Sequence, residues 1–314
     1  MTEQTAIHLQ NLHKRYGELT AVHGIEFTVR RGEIFSLLGP NGAGKTTTIA
    51  MLSCLLAPTS GDALVMGQSI VHAPHAVKQA IGVVPQEVAI YDDLSAHQNL
   101  VFWGHMYGLN GRHLARRVDE VLDLVALTNR QHDRAGHYSG GMQRRLNIGI
   151  ALLHEPQLVI MDEPTVGIDP QSRRKILDGV KELNRRGVTV LYTTHYMEEA
   201  QELSHRIAIM DHGKLIAQGT NNELIQIIGG LHRINLTLSQ KPASLLEMWR
   251  MLASVHSVSE EDGTVSLLVK NSAQVLPTVF ESATRADVRV TSMDIQEPDL
   301  EAVFLHLTGK ALRD

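Results

Sequence analysis

Chemistry is concentrated first in the run Gly39-Pro40-Asn41-Gly42-Ala43-Gly44-Lys45-Thr46-Thr47, which has the spacing GxxxxGK followed by Thr. Its glycines let the backbone wrap inward so that successive N–H groups face phosphate oxygens. Lys45 adds a point charge, Thr46 places a hydroxyl where it can ligate Mg²⁺, and the helix that follows turns its positive end toward the same anion. The run implies a bound nucleoside triphosphate. A second cluster, Asp162-Glu163, ends the apolar stretch Leu158-Val159-Ile160-Met161. Asp162 suits the Mg²⁺-side carboxylate of a phosphate-loop enzyme, and Glu163 is placed to polarise water. By itself such a loop fits kinases, GTPases, helicases and transport ATPases alike.

These residues need elements to hold them. The stretch Glu33-Ile34-Phe35-Ser36-Leu37-Leu38 reads as a buried strand entering the loop, and Thr47 to Leu52 as the helix leaving it. Ile7, Leu9, Ile25, Phe27 and Val29 alternate as antiparallel strands with one buried face, and Gly61 to Val71 suggests a short strand pair. Ile81 to Gln86 reads as a strand, and Ser95 to Leu127 as a helical block opened by the capping-box spacing of Ser95 and Gln98. Another helix starts after Tyr138-Ser139-Gly140-Gly141. The apolar runs 158–161 and 189–193 suit parallel strands covered on both faces, separated by an amphipathic helix bearing Ile176, Leu177, Val180 and Leu183. Strand, helix, strand defines an α/β sheet domain. Beyond Gly229-Gly230 the order becomes β-α-β-β-α-β with a last helix from Pro298, which suits a small ferredoxin-like unit.

Composition narrows the partners. The chain has 314 residues, room for two domains, and a net charge of -5 from 29 basic and 34 acidic residues, so no nucleic-acid partner is expected. One cysteine, Cys54, permits no internal disulfide. No run approaches the roughly 18 apolar residues of a membrane span, so a cytoplasmic chain is expected, reaching a membrane only through a partner. The 17 histidines show no zinc-type spacing, and Arg144-Arg145, Arg173-Arg174 and Arg185-Arg186 read as solvated helix faces.

Over residues 5–230 the sequence resembles the ATP-binding-cassette (ABC) ATPases. Tyr138-Ser139-Gly140-Gly141-Met142 is similar to the family signature Leu-Ser-Gly-Gly-Gln, with Tyr138 and Met142 departing from it. Gln86 resembles the glutamine loop, Gly167-Ile168-Asp169 the D-loop, His195 the switch histidine and Tyr16 the aromatic that stacks on adenine. The resemblance implies a phosphate-loop NTPase of the ABC-cassette kind: an ATP-binding domain over 1–230 with an antiparallel β subdomain and a helical subdomain at about 87–157. A small α+β domain over 231–314 completes the chain.

ATP and Mg²⁺ are the implied ligands. Lys45 and the loop from Gly39 to Thr47 would hold the phosphates, Thr46, Gln86 and Asp162 would organise Mg²⁺, Glu163 would activate water and His195 would contact the γ-phosphate. Asp169 belongs to the implied nucleotide contacts. Ser139, Gly140 and Gly141 would cap ATP on a second copy, so the chain is expected as a head-to-tail homodimer docked through residues 87–135 on a membrane-spanning permease, at the inner face of the membrane.

The phrases Asp162 to Pro170 and Thr194 to Ala200, with the tail Leu300 to Gly309, resemble the exporter branch that handles drugs, antibiotics, lipids, polysaccharides or nodulation factors. The alternatives are an importer cassette with a regulatory C-terminal domain and a soluble ABC ATPase acting on ribosomes or DNA. The tandem cassettes or inserted coiled coils of the soluble class do not appear.

Overall fold

A computed structural model describes residues 5–240, 242–261, 264–296 and 298–308. The described residues up to Thr220 form one compact unit and those from Asn221 onward a second.

The first unit opens with β1 (Thr5–Tyr16), β2 (Leu19–Ile25) and β3 (Thr28–Arg30), whose inward side chains include Ile7, Leu9, Val22, Ile25 and Val29. Next come β4 (Ile34–Leu38), with every residue buried, and α1 (Lys45–Leu52). The hairpin β5 (Ser60–Val65) and β6 (Gln68–Ser69) precedes α2 (Pro74–Ala80) and β7 (Ile81–Val84). A helical block follows, made of α3 (Ala96–Met106), α4 (Gly111–Leu124) and α5 (Gly140–Leu152). The remainder is β8 (Leu158–Asp162), α6 (Pro170–Arg185), β9 (Thr189–Thr194), α7 (Met197–Leu203), β10 (Arg206–Asp211) and β11 (Lys214–Gly219).

Two sheets result. One is antiparallel, in the order β2-β1-β5-β6 with β3 also on β1, and the other runs β11-β10-β4-β9-β8-β7. The five strands from β10 to β7 are parallel, and β11 is the antiparallel edge. The full burial of β4, β8 and β9 is what a parallel sheet covered on both faces requires. Register then decides where the chemistry goes. Leu38 lies beside Thr194 and Asp162 beside Thr193, so Gly39, Glu163 and His195 all emerge from the same carboxyl edge, where open α/β sheets bind ligands.

The capping box at Ser95 forms as the spacing requires, with Ser95 Oγ accepting from Gln98 N and Gln98 Oε1 accepting from Ser95 N at 2.9 Å. The helical pattern from 95 to 127 is nevertheless two helices. Tyr107 to Asn110 breaks it, with Gly108 at φ 81° and Asn110 extended as the N-cap of α4.

The second unit comprises α8 (Asn221–Ile227), β12 (His232–Leu238), α9 (Ala243–Arg250), β13 (Val255–Glu261), β14 (Thr264–Val269), α10 (Ser272–Arg285), β15 (Val290–Gln296) and α11 (Leu300–Thr308). Its sheet is antiparallel in the order β13-β14-β12-β15, the strand order of a split β-α-β ferredoxin-like unit. Ile234, Leu236, Val265, Leu267 and Val279 fill its core around Trp249, whose indole N–H donates to Ser282 Oγ at 2.8 Å. α8 falls in this unit because it packs against α11.

Candidate functional site

The phosphate loop begins where β4 runs out. Gly39 is required by close approach: a Cβ there would come within 2.1 Å of the Met210 carbonyl on β10. Gly44 caps α1 at φ 99°, a left-handed value open to glycine, and a Cβ would also meet Ala21 O at 2.6 Å. Behind the loop the Lys45 side chain is only 4% exposed. Its Nζ donates to Gly39 O at 2.6 Å and Pro40 O at 3.0 Å, and pairs with Glu163 Oε1 at 3.0 Å. Thr46 is exposed at the mouth of the loop.

The two carboxylates arrive from β8. Asp162, the last strand residue, accepts a 2.7 Å hydrogen bond from Thr193 Oγ1 and another from the Thr46 hydroxyl. Burial pushes the Asp162 carboxyl above its usual range, opposed by those two hydroxyl donors. Glu163 follows at φ 44°, a left-handed value a side chain adopts at a cost, as recurs where a side chain must be aimed. The Thr193 hydroxyl holds it there, accepting from Glu163 N at 3.0 Å. Glu163 Oε2 lies 3.2 Å from His195 Nδ1. Lys45, Glu163 and His195 therefore form one connected line beside the Thr46–Asp162 pair. A carboxylate held at both oxygens and aimed from a fixed backbone is suited to orient and deprotonate water. The hydroxyl and carboxylate of Thr46 and Asp162 are hard oxygen donors in small number, which fits Mg²⁺ sharing its sphere with phosphates. Among the described residues no group of three or more His, Cys, Asp or Glu side chains forms a metal cage.

Three supporting residues escaped the sequence reading. Thr193 joins both carboxylate residues to β9. Glu199, buried on α7, accepts at Oε2 from Thr165 Oγ1 at 3.0 Å, Tyr192 OH at 2.9 Å and Thr194 Oγ1 at 3.0 Å, with Arg173 Nε 3.6 Å from Oε1. It thus ties the turn after Glu163 to the strand that carries His195. The available signal was its place four residues after His195, on the first turn of a helix. Arg144 is the third: instead of a solvated face it is buried, donating to Pro85 O and Gln86 O.

The remaining sequence candidates make none of the bonds described for the Lys45 cluster. Tyr16 is exposed at the end of β1, with Lys14 Nζ 5.1 Å from its ring centre. Gln86 is exposed just beyond β7. Ser139, Gly140 and Gly141 open α5, where Ser139 Oγ accepts from Met142 N at 3.3 Å and a Cβ on Gly141 would come within 2.2 Å of Ser172 Oγ. Asp169 caps α6 by accepting from Ser172 N at 3.0 Å, and that bond lowers its pKa. The departures from the signature are accommodated: Tyr138 is buried with its hydroxyl on Arg130 O at 2.5 Å, and Met142 packs against the helical-block core.

A phosphate loop, a buried lysine, paired carboxylates and a histidine on the carboxyl edge of a parallel sheet define a phosphate-loop NTPase. Residues 22–166 match the ABC transporter family model. Over 307 residues the chain is 48% identical to the linearmycin resistance ATP-binding protein LnrL of Bacillus subtilis, covering 97% of this chain and 99% of the relative. It is 37% identical to the daunorubicin resistance ATP-binding protein DrrA3 of Streptomyces coeruleorubidus, with 97% and 96% covered. It is 36% identical to the Nod factor export ATP-binding protein I of Ralstonia nicotianae, with 98% of this chain and 94% of the relative covered. An ATP-binding subunit of an ABC transporter superposes with a TM-score of 0.65 at 29% identity, over 72% of this chain and 94% of that one. A dimeric ATP-binding cassette in a post-hydrolysis state with ADP and Pi superposes at 0.62 and 26%, over 68% and 98%. The chain belongs to the ABC transporter ATP-binding family, whose general activity is ATP hydrolysis.

Proposed function

We propose that this chain is the ATP-hydrolysing subunit of an exporter, closing with a second copy around two ATP molecules and driving a separate membrane-spanning permease. The observation that carries the reading is the buried Lys45–Glu163–His195 line beside Thr46–Asp162. Lys45 and the amides of residues 39–47 bind the β- and γ-phosphates, and Tyr16 stacks on adenine. Thr46, Asp162 and Gln86 would hold Mg²⁺, directly or through water, and the ion would supply positive charge to the phosphate oxygens. Glu163 accepts the proton of the attacking water, and His195 orients Glu163 and reaches the γ-phosphate.

Ser139, Gly140 and Gly141 open α5 and are not among the bonding partners of that line, which supports their serving the ATP of the other copy, with Asp169 beside them. The permease docks on the helical block, where Tyr91, Phe102, Met106 and Tyr107 leave apolar surface exposed. Docking there holds the chain at the inner face of the membrane; no helix among the described residues is long and apolar enough to cross it. Full-length coverage of the drug-resistance and Nod-factor relatives supports export as the direction. The C-terminal unit strengthens the dimer.

Affinity capture of the full chain from membranes tests the reading. Recovery with a six-span membrane protein supports it, whereas recovery only with ribosomes, with DNA or with a solute-capturing importer assembly overturns it.

A further inference from the structure

Arg144 is a buried charge that neither the phosphate loop nor the catalytic line uses. It sits on α5, one turn beyond Ser139 to Gly141, and its side chain is 4% exposed. Nη1 donates to Pro85 O at 2.7 Å and Nη2 to Gln86 O at 2.5 Å, while Nε has no partner. Burial lowers its pKa from the ordinary value, the signature of a cation taken out of water. A protein keeps a charge in such a place only if its bonds there are good, and a planar fork across two consecutive carbonyls fixes the orientation of the peptide between them. That peptide is the one entering Gln86. Three residues on, the same helix holds the same segment again, Asn147 Oδ1 accepting from Ala89 N at 3.3 Å. The far side of the segment is fastened by the fully buried Asn99, which bonds both N and O of Tyr91.

We infer that Arg144 is a positioning residue for Gln86: its guanidinium holds the backbone of the glutamine loop to the helix that begins with Ser139-Gly140-Gly141, so that the two move as one piece. The inference rests on the role given to Gln86 above. Its guanidinium is committed to the Pro85 and Gln86 carbonyls, with its charge also felt at Asp162, so it acts on the rate of hydrolysis chiefly through Gln86 and leaves nucleotide binding to Lys45 and the loop amides.

The test is a double-mutant cycle on the full chain with steady-state ATPase, nucleotide affinity and melting temperature read for each variant. Arg144→Gln is expected to lower kcat about tenfold, with KM and ATP affinity changed less than about twofold, a loss of about 1.4 kcal/mol in the barrier. In a Gln86→Ala background the same substitution is expected to cost less than about twofold, since the group it positions is gone. Arg144→Lys, which keeps the buried charge but loses the fork, goes through the same cycle and supplies the result if Arg144→Gln does not fold. Equal losses in both backgrounds, or a fall in ATP affinity with kcat intact, overturn the inference. Unchanged kcat in Gln86→Ala alone overturns the role assigned to Gln86 and the inference with it; a loss in Gln86→Ala combined with full additivity overturns the inference only.

Discussion

Replacing Glu163 with glutamine keeps the shape of the side chain and removes its charge and its basicity. In the structure Oε1 lies 3.0 Å from Lys45 Nζ and Oε2 3.2 Å from His195 Nδ1, with both Lys45 and Glu163 only 4% exposed. At an effective dielectric of about 20 the Lys45 pair alone is a gross attraction of about 5–6 kcal/mol. Removing one partner of a buried pair costs about 3–5 kcal/mol, and the low end applies here because Lys45 keeps its bonds to Gly39 O and Pro40 O. Glu163→Gln without nucleotide should therefore melt earlier than the parent. A triphosphate brings negative charge to Lys45 and repairs what the substitution removed, so MgATP should raise the melting temperature more in the variant than in the parent. Hydrolysis should respond oppositely: loss of a general base lowers kcat by about 10²–10⁴-fold, or about 3–5 kcal/mol. Thermal shift and single-turnover ATPase on the purified chain read both quantities. A variant that hydrolyses ATP at the parent rate refutes the role of Glu163, and an unaltered ATP-induced shift refutes its pairing with Lys45.

Thr193→Val removes the donor to Asp162 and the acceptor for Glu163 N; it should destabilise the chain by about 1–3 kcal/mol, measurable by denaturant unfolding, and lower kcat while Thr193→Ser retains most of it. Glu199→Ala leaves three buried hydroxyls and Arg173 without their carboxylate, and the melting curve should show a loss of about 3–5 kcal/mol, larger than for Glu202→Ala on the exposed side of the same helix. His154, with Nε2 3.0 Å from Ile81 O, is held below its ordinary pKa of 6.5, chiefly by burial. Its unfolded form binds a proton first as pH falls, so the stability it contributes is present above about 6.5 and declines below it. Unfolding free energies measured from pH 7.5 to 5.5 should fall less steeply in His154→Gln than in the parent.

The fold was legible where a local rule had no competitor. Leu158 to Asp162 and Thr189 to Thr194 are apolar enough to be only interior parallel strands, and the spacing of Gly39, Gly44, Lys45 and Thr46 allows one backbone shape. What stayed hidden was short or depended on partners distant in sequence. The helix Pro74–Ala80 buries only Val77, too little to set a period, and Lys214–Gly219 is an edge strand whose residues alternate in exposure without a strong apolar face. The pair β10 and β11 was nevertheless marked by His212-Gly213, both at positive φ, a hairpin signal with a polar appearance. The helical block hid its break at Gly108 because the residues around it keep helical spacing. At the site, Lys45, Asp162, Glu163 and His195 declared themselves by type and by neighbours. Arg144, Thr193 and Glu199 did not, because an Arg-Arg pair, a Thr-Thr pair and a Glu-Glu pair look like solvated or strand-forming residues until the fold buries Arg144, both threonines and Glu199.

The central claim, a site completed by another copy of the chain, is tested by mixing two inactive chains. Lys45→Ala disables the phosphate loop and Ser139→Arg the signature, so each alone should fail to hydrolyse ATP. In a head-to-tail mixed dimer one site collects both defects and the other has an intact loop from one copy and an intact signature from the other. The expected result is ATPase activity in the mixture well above the sum of the separate chains. A mixture that stays at that sum, with both variants folded and ATP-driven pairing detected, would place the whole site within one chain and contradict the account.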